Sequence, residues 1–382
     1  MKIAIFGGSF NPPHKGHLNS ALAAVRQLAP DKLLVMPACT PPHKELEAGS
    51  PTPQQRLEMC RACFAGVPNA EVSDMEIRRG GRSYTADTLR ALREKYPEAE
   101  FCLLLGTDMM LTVDQWYDAP YILSNAVIAP FARDAQSGAA IASKAKELRE
   151  KNGSQVEIVQ TQVYPAASTE VRKALRCREG VEYLTDDVYS YIVRNRLYGV
   201  KVNFPWLREK SYAMLKPKRI PHVKGTEEEA VRLARRWGAD VEKAAEAAIL
   251  HDCTKRNTLE EQLAFCKKYG IATDPLEKVS EKLLHSKTGA EIAYYEFGMD
   301  EEVRVAIRWH TTGRPAMSLL EKIIYMADYI EPCRNFEGVE PLRKLAYENL
   351  DKAMALGLEM SIADIRSYGN PVHEMSAAAL AY

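Results

Sequence analysis

The chain has 382 residues, long for a single core, so two domains are expected. Lys plus Arg and Asp plus Glu both total 51, and the first 200 residues already balance at 24 basic and 23 acidic, so neither half offers the basic face that a nucleic acid polymer requires. No apolar run approaches the roughly 18 residues of a membrane span, the glycines at 7 and 8 interrupt any export-signal core, and the eight scattered cysteines form no disulfide framework, so a reducing cytoplasm is expected.

In chain order, "KIAIF", "KLLVMPA", "AEVSDMEI", "EFCLLLG", "NAVIAP" and "VEIVQT" read as short buried strands. Helical patterns lie between most of them, including "TADTLRALREKY" and "SGAAIASKAKELREK". This alternation predicts a Rossmann-like α/β domain over residues 1–200, with a parallel sheet and a site beyond the carboxyl ends of its strands. The pair Cys60-x-x-Cys63 stands alone in the helical "QQRLEMCRACFAG" and reads as two helix cysteines rather than half of a zinc site. From about Glu227 strand signals vanish, and "EEEAVRLARRWGADVEKAAEAAILHD", "LEEQLAFCKKYG", "EKLLHSKTGAEIAYYEFG", "DEEVRVAIRWH" and "MSLLEKIIYMADYI" read as successive helices. Residues 207–382 are therefore expected to be an all-α bundle, joined to the first domain near 199–206.

The stretch "GGSFNPPHKGHLNSALAAVRQL" at 7–28 follows the first strand. Gly7 and Gly8 let backbone N–H groups approach a ligand, with Ser9 and Phe10 beside them. A helix starting near His17 offers unpaired N–H groups and a positive dipole end. His14 and His17, three residues apart, can face the same way and add donors for a polyphosphate. Far along the chain, Ser168 is placed to cap another helix, with Thr169 next to it and Arg172 one turn in.

The element His14-x-Gly16-His17 after a Gly-Gly strand end, with Ser168-Thr169-Glu170-Val171-Arg172, resembles the two signatures of the HxGH nucleotidyltransferase superfamily. Together with "PACTPPHKE", "SYTADTL" and "GTDMMLTVDQW", it looks like bacterial nicotinate-nucleotide adenylyltransferase over about residues 1–198. That resemblance implies ATP with Mg²⁺ and nicotinate mononucleotide as substrates. It implies that Lys44 meets the mononucleotide phosphate, Thr85 lies near the nicotinate carboxylate, Trp116 stacks on its ring, and Asp108 binds ribose or the metal-nucleotide end. His14, His17 and Arg172 would neutralise the developing charge. One departure, Ser-Phe-Asn-Pro-Pro where Thr-Phe-Asp-Pro-Ile is commoner, carries no expected catalytic consequence.

Five of the eight histidines lie beyond residue 200: His222, His251, His285, His310 and His373. His251-Asp252 ends one helical pattern, His310 ends another, and Asp328 lies inside an apolar one, where a carboxylate is costly unless it binds something. Imidazoles and carboxylates from separate helices suit iron, manganese, zinc or magnesium. "RIPH", "ILHDCTK", "LLH", "RWHTTG" and "IIYMADYIEPCR" resemble the HD superfamily, and more narrowly the small bacterial HD hydrolases that cut diadenosine tetraphosphate symmetrically, over about 207–382. The resemblance implies His222, His251, Asp252 and Asp328 as ligands of a divalent metal, iron or manganese for preference. It implies His285 and His310 at the substrate phosphates or a second metal, and Lys255, Arg219 and Arg334 on phosphate oxygens. His373 matches no motif position. The chain thus reads as a bifunctional enzyme. Hydrolysis of a different nucleotide phosphoester, or a nucleotide-binding regulatory role without turnover, stay open for the second half. So does homo-oligomerisation.

Overall fold

Five apolar runs pair into one parallel sheet: β1 (Lys2–Gly8), β2 (Lys32–Pro37), β3 (Ala70–Val72), β4 (Glu100–Gly106) and β5 (Val127–Phe131), in the order β3-β2-β1-β4-β5. The computed structural model describes residues 1–42, 45–131, 135–162, 164–165 and 167–382, with 135–137 by backbone alone. It divides into two compact units, Met1–Lys201 and Val202–Tyr382. The sheet belongs to the first.

The crossovers of that unit are α1 (Lys15–Leu28), α2 (Pro53–Phe64), α3 (Met75–Arg79), α4 (Thr85–Lys95), α5 (Thr107–Met110), α6 (Ala119–Asn125) and α7 (Ala135–Asn152), followed by α8 (Ser168–Arg176) and α9 (Asp186–Arg194). Strand order reverses at β1, between β2 and β4, so the loops leaving β1 and β4 diverge and open a crevice at their carboxyl ends. Ile3, Ile5, Phe101, Leu103 and Leu105 from the two strands pack with Leu89 and Leu92 of α4 and Ile122 of α6 into the core.

Two strand expectations are corrected. "AEVSDMEI" is strand only to Val72, because the Ser73 hydroxyl accepts the Met75 N–H and turns the rest into α3. "VEIVQT" is an isolated parallel bridge, Ile128 to Val156, and not a sixth strand, although the Glu157 and Val159 N–H groups still bond to β5 carbonyls. Cys60 and Cys63 sit on the buried face of α2, where burial pushes the Cys63 thiol up to about 12, which keeps it protonated and a poor metal ligand.

The second unit is helical: α10 (Phe204–Ala213), α11 (Ile220–Trp237), α12 (Val241–Leu250), α13 (Leu259–Tyr269), α14 (Glu281–Tyr295), α15 (Glu301–Trp309), α16 (Leu319–Ile330), α17 (Val339–Glu348), α18 (Leu350–Ser367) and α19 (Glu374–Ala381). Their ends carry ordinary signals. Thr258 and Ser318 form capping boxes with Glu261 and Glu321, and Gly238 and Gly270 close α11 and α13 at positive φ. The apolar helix α16 packs on α11, α12, α15 and α18. No helix is long and apolar enough to cross a membrane among the described residues.

Phe101 of β4 is 1 % exposed and lies under the Arg93 guanidinium, 4.6 Å from its ring centre. Phe101→Ala should therefore cost about 3–5 kcal/mol. Urea unfolding followed by circular dichroism measures this, and a cost near zero would mean that the sheet is not packed as described.

Candidate functional sites

The carboxyl ends of β1 and β4 open into a cavity of about 420 Å³. It is lined by Gly7, Gly8, Ser9, Phe10, His14, His17, Thr85, Asp108, Trp116, Ser168, Thr169 and Arg172, drawn from both ends of the first unit. Lys44 lies outside the described residues. A Cβ on Gly7 would meet nothing within 4 Å, so the strand end borders open space.

The helix begins two residues before His17, at Lys15, and His14 is its N-cap. His14 Nδ1 accepts the Gly16 N–H at 3.1 Å, and His17 Nδ1 accepts the His14 N–H at 3.2 Å. A neutral imidazole that accepts on Nδ1 carries its proton on Nε2. Both rings are thereby set as Nε2 donors, 3.8 Å apart at their centres, and the first turn of α1 holds no acidic residue. Gly16 makes this arrangement possible, because a Cβ there would lie 2.9 Å from the His14 ring.

Ser168 does not cap α8. Ala167 is the N-cap without a side-chain bond, and the Ser168 hydroxyl donates to Pro12 O at 2.9 Å. The uncapped end leaves helix N–H groups for a ligand. Arg172 is 5 % exposed; it donates to Asn11 O at 2.9 Å and Glu47 Oε1 at 2.5 Å, and its Nε is buried without a partner. Glu47 is 57 % exposed, so a phosphate can take its place on the guanidinium. Trp116 packs on the core cluster and donates weakly to Thr112 Oγ1 at 3.4 Å.

Arg56 is missed by the sequence reading. It is fully buried on α2 and donates to Ser9 O, Ala38 O and Cys39 O at 2.8, 2.6 and 2.9 Å, joining the loops that leave β1 and β2. Burial lowers its pKa. No described carboxylate lies within ion-pair distance, so it adds positive charge behind the cavity. The available signal was its spacing: Arg56, Cys60 and Cys63 share one helix face, which makes Arg56 a charge at a core position.

In the second unit, four imidazoles point their Nε2 atoms at one another. His222 Nε2 is 3.3 Å from His251 Nε2 and 2.9 Å from Asp328 Oδ1. Asp252 Oδ2 lies 3.5 Å from His251 Nε2 and 3.8 Å from His222 Nε2, and Asp328 Oδ1 lies 3.8 Å from His251 Nε2. Metal bonds near 2.1 Å imply ligand separations of about 3.0 to 3.5 Å, so these donors fit a divalent ion. Beside them, His285 Nε2 is 3.1 Å from both His310 Nε2 and Asp252 Oδ1, and Lys255 Nζ is 2.9 Å from His285 Nε2. Asp252 Oδ1 is buried without an aligned hydrogen bond, which leaves a lone pair for a cation.

The electrostatics agree with that donor set. Burial, with Lys255 beside one and His285 beside the other, holds His285 low and His310 well below the usual imidazole range, in the neutral form that binds metals. His251 goes the other way: burial opposes its charging, but Asp252 and Asp328 raise its affinity for a proton. Those carboxylates would equally attract a metal. Burial works against Asp252 and Asp328 as anions, yet the histidines and the cations Lys255 and Arg334 hold both well below the usual carboxylate range. Arg219 Nε reaches Asp252 Oδ2 at 2.5 Å and Arg334 Nη2 reaches Asp328 Oδ1 at 2.7 Å. A cavity of about 200 Å³ adjoins the cluster, lined by Arg219, Lys255, His310, Asp328 and Arg334, and by Thr311, Tyr325, Tyr329 and Ser361, which the sequence reading did not name.

His373 serves differently. It caps α19, its Nδ1 accepting the Met375 N–H, and its Nε2 donates to Asp274 Oδ2 at 2.8 Å. Glu277 nearby is bonded by Lys287 at 2.6 Å. This group is satisfied internally and anchors the last helix.

Residues 5–174 match the cytidylyltransferase-like family and residues 219–333 the HD domain family. The "Probable nicotinate-nucleotide adenylyltransferase" of Gemmatimonas aurantiaca is 37% identical over 201 residues, which cover 52% of this chain and 92% of that protein. The "Bis(5'-nucleosyl)-tetraphosphatase, symmetrical" of Bacillus subtilis is 39% identical over 170 residues, covering 43% of this chain and 91% of that protein. The crystal structure of a "predicted HD superfamily hydrolase involved in NAD metabolism" from Clostridium acetobutylicum is 39% identical and covers 47% of this chain and 95% of its own, with a TM-score of 0.46. The chain is therefore a fusion that belongs, over its first half, to the nicotinate-nucleotide adenylyltransferase family within the cytidylyltransferase-like fold and, over its second half, to the HD-domain symmetrical tetraphosphatase family.

Proposed function

We propose that the first unit transfers AMP from ATP to nicotinate mononucleotide, giving deamido-NAD and pyrophosphate, and that the second hydrolyses diadenosine tetraphosphate symmetrically to two ADP. The first reading rests on one observation above all: two imidazoles locked as Nε2 donors at the mouth of α1, inside the cavity at the ends of β1 and β4. A phosphomonoester oxygen of the mononucleotide is ionised at neutral pH and needs no general base. It attacks the α-phosphorus in line, and pyrophosphate leaves. His14, His17 and the N-termini of α1 and α8 face the charge that develops, with Mg²⁺ arriving on ATP, so positioning and charge neutralisation suffice. Thr85, Asp108 and Trp116 line the same cavity and are assigned to the nicotinate and ribose end.

The second reading rests on the convergence of His222, His251, Asp252 and Asp328 beside a cavity lined by Arg219, Lys255 and Arg334. A divalent metal held by those four residues would supply a Lewis acid that lowers the pKa of its bound water. Lys255 and the two arginines hold phosphate oxygens and neutralise the leaving nucleotide. Burial lowers the Lys255 pKa, although Asp252 and Asp328 oppose the shift. Substrate identity is tested by incubating the purified protein with diadenosine tetraphosphate and a nucleotide panel and separating the products. ADP alone is the expected result, and turnover confined to other nucleotides would replace this substrate assignment.

His17→Ala should lower adenylyl transfer about a hundredfold, the roughly 3 kcal/mol carried by a single preorganised donor. Wild-type turnover in a continuous pyrophosphate assay would remove His17 from the site. Gly16→Ala should act through its neighbour, since the new Cβ would lie 2.9 Å from the His14 ring and swing it out of place. A tenfold or greater loss of kcat/KM is expected, with unchanged circular dichroism, and unaltered kinetics would show that the His14 position is immaterial. Asp328→Ala should eliminate phosphohydrolase activity and leave adenylyl transfer within about twofold, because the two sites lie in separate compact units. Loss of both activities from a normally folded variant would refute the two-site reading.

A further inference from the structure

The four clustered imidazoles of the second unit differ in how their far nitrogens are held. His251, His285 and His310 each donate from Nδ1 to the carbonyl three residues back in their own chain: Ala248 O at 2.7 Å, Lys282 O at 2.8 Å and Ile307 O at 2.7 Å. His222 is the third residue of α11 and is held otherwise: its Nδ1 lies 3.0 Å from Glu331 Oε1, a side chain 109 positions away. Glu331 is 1 % exposed, just past the end of α16. Its other oxygen accepts the Cys333 N–H at 2.6 Å, and Arg334 Nε stands 3.9 Å from Oε1. The carboxylate occupies a slot that α11 keeps open. A Cβ on Gly225, one turn after His222, would stand 2.4 Å from Glu331 Oε2.

We infer that Glu331 is a positioning residue for the metal centre: seated against Gly225, it fixes the His222 tautomer and ring orientation so that Nε2 faces the cluster as an acceptor. This rests on the reading of His222 as a ligand. A backbone carbonyl orients an imidazole; a carboxylate also draws on the Nδ1 proton and raises the basicity of the opposite nitrogen, and such partners are worth about 10- to 100-fold in metal affinity. The arrangement also explains the glycine. Any larger residue at 225 in the helix would drive the carboxylate off the imidazole.

The test strips the full-length protein with a chelator and titrates Mn²⁺ calorimetrically, with Asp328→Ala as the blank for ion taken up elsewhere. Glu331→Gln should weaken Mn²⁺ about 10- to 100-fold. Gly225→Ala should do the same by displacing an intact carboxylate, and it serves if Glu331→Gln folds poorly. The discriminating measurement is the double variant: in a His222→Ala background, Glu331→Gln should cost nothing further, because it acts through that ring. Unchanged affinity in both single variants, or an undiminished effect without His222, overturns the inference. Failure of the wild-type protein to bind Mn²⁺ above the blank overturns the ligand assignment itself, a different result.

Discussion

Both sites depend on which nitrogen of a histidine carries the proton, and at His14, His17, His251 and His310 the polarity of the helix end decides it. At the start of α1 the backbone offers N–H groups. His14 and His17 accept them on Nδ1, so Nε2 becomes a donor suited to an anion. His251 and His310 directly follow the last residues of α12 and α15, where carbonyls are in supply. They donate from Nδ1, so Nε2 becomes an acceptor suited to a cation. The same side chain thus presents a donor in one half and an acceptor in the other, as the proposed phosphate and metal ligands would each require.

Around these rings each unit buries charge that its own side chains leave uncompensated or only partly bonded. The first unit buries the cations Arg56 and Arg172, each with an Nε that finds no partner. The second buries Asp252 completely, with one oxygen unbonded. A buried ionic group lacking a full shell is costly in a folded chain. The opposite signs of the two deficits match the opposite charges of the proposed ligands, polyphosphate and divalent metal.

Much of this was legible in the sequence because it is local. The strand-Gly-Gly-helix unit, the His14-x-Gly16-His17 spacing and the helix breaks at Gly238 and Gly270 need only neighbouring residues to be understood. The rest depends on contacts between distant segments. Ser168 has a cap residue's chemistry, but Pro12 O, 156 positions away, takes its hydroxyl. Arg56 looked like one more polar helix residue until the loops after β1 and β2 closed over it. Glu331 is unremarkable in "YIEPCR", since its partner His222 lies on another helix. "VEIVQT" alternates like a strand, but it bonds to one neighbour at a sheet edge, and only one bridge forms.

The segment that closes the first unit carries a constraint of another kind. After α9 the chain turns back, and the Tyr198 hydroxyl donates to Asn11 Oδ1 at 2.9 Å, while the Lys201 N–H bonds to Leu175 O at 3.0 Å. Asn11 is also the residue whose carbonyl seats Arg172. A first unit cut after Arg194 would retain its strands and both of its signature motifs yet lose one of the two side-chain bonds that hold Asn11, keeping only the one to Ser50. A seam that preserves this bond falls after the returning tail, and that is where the second unit begins.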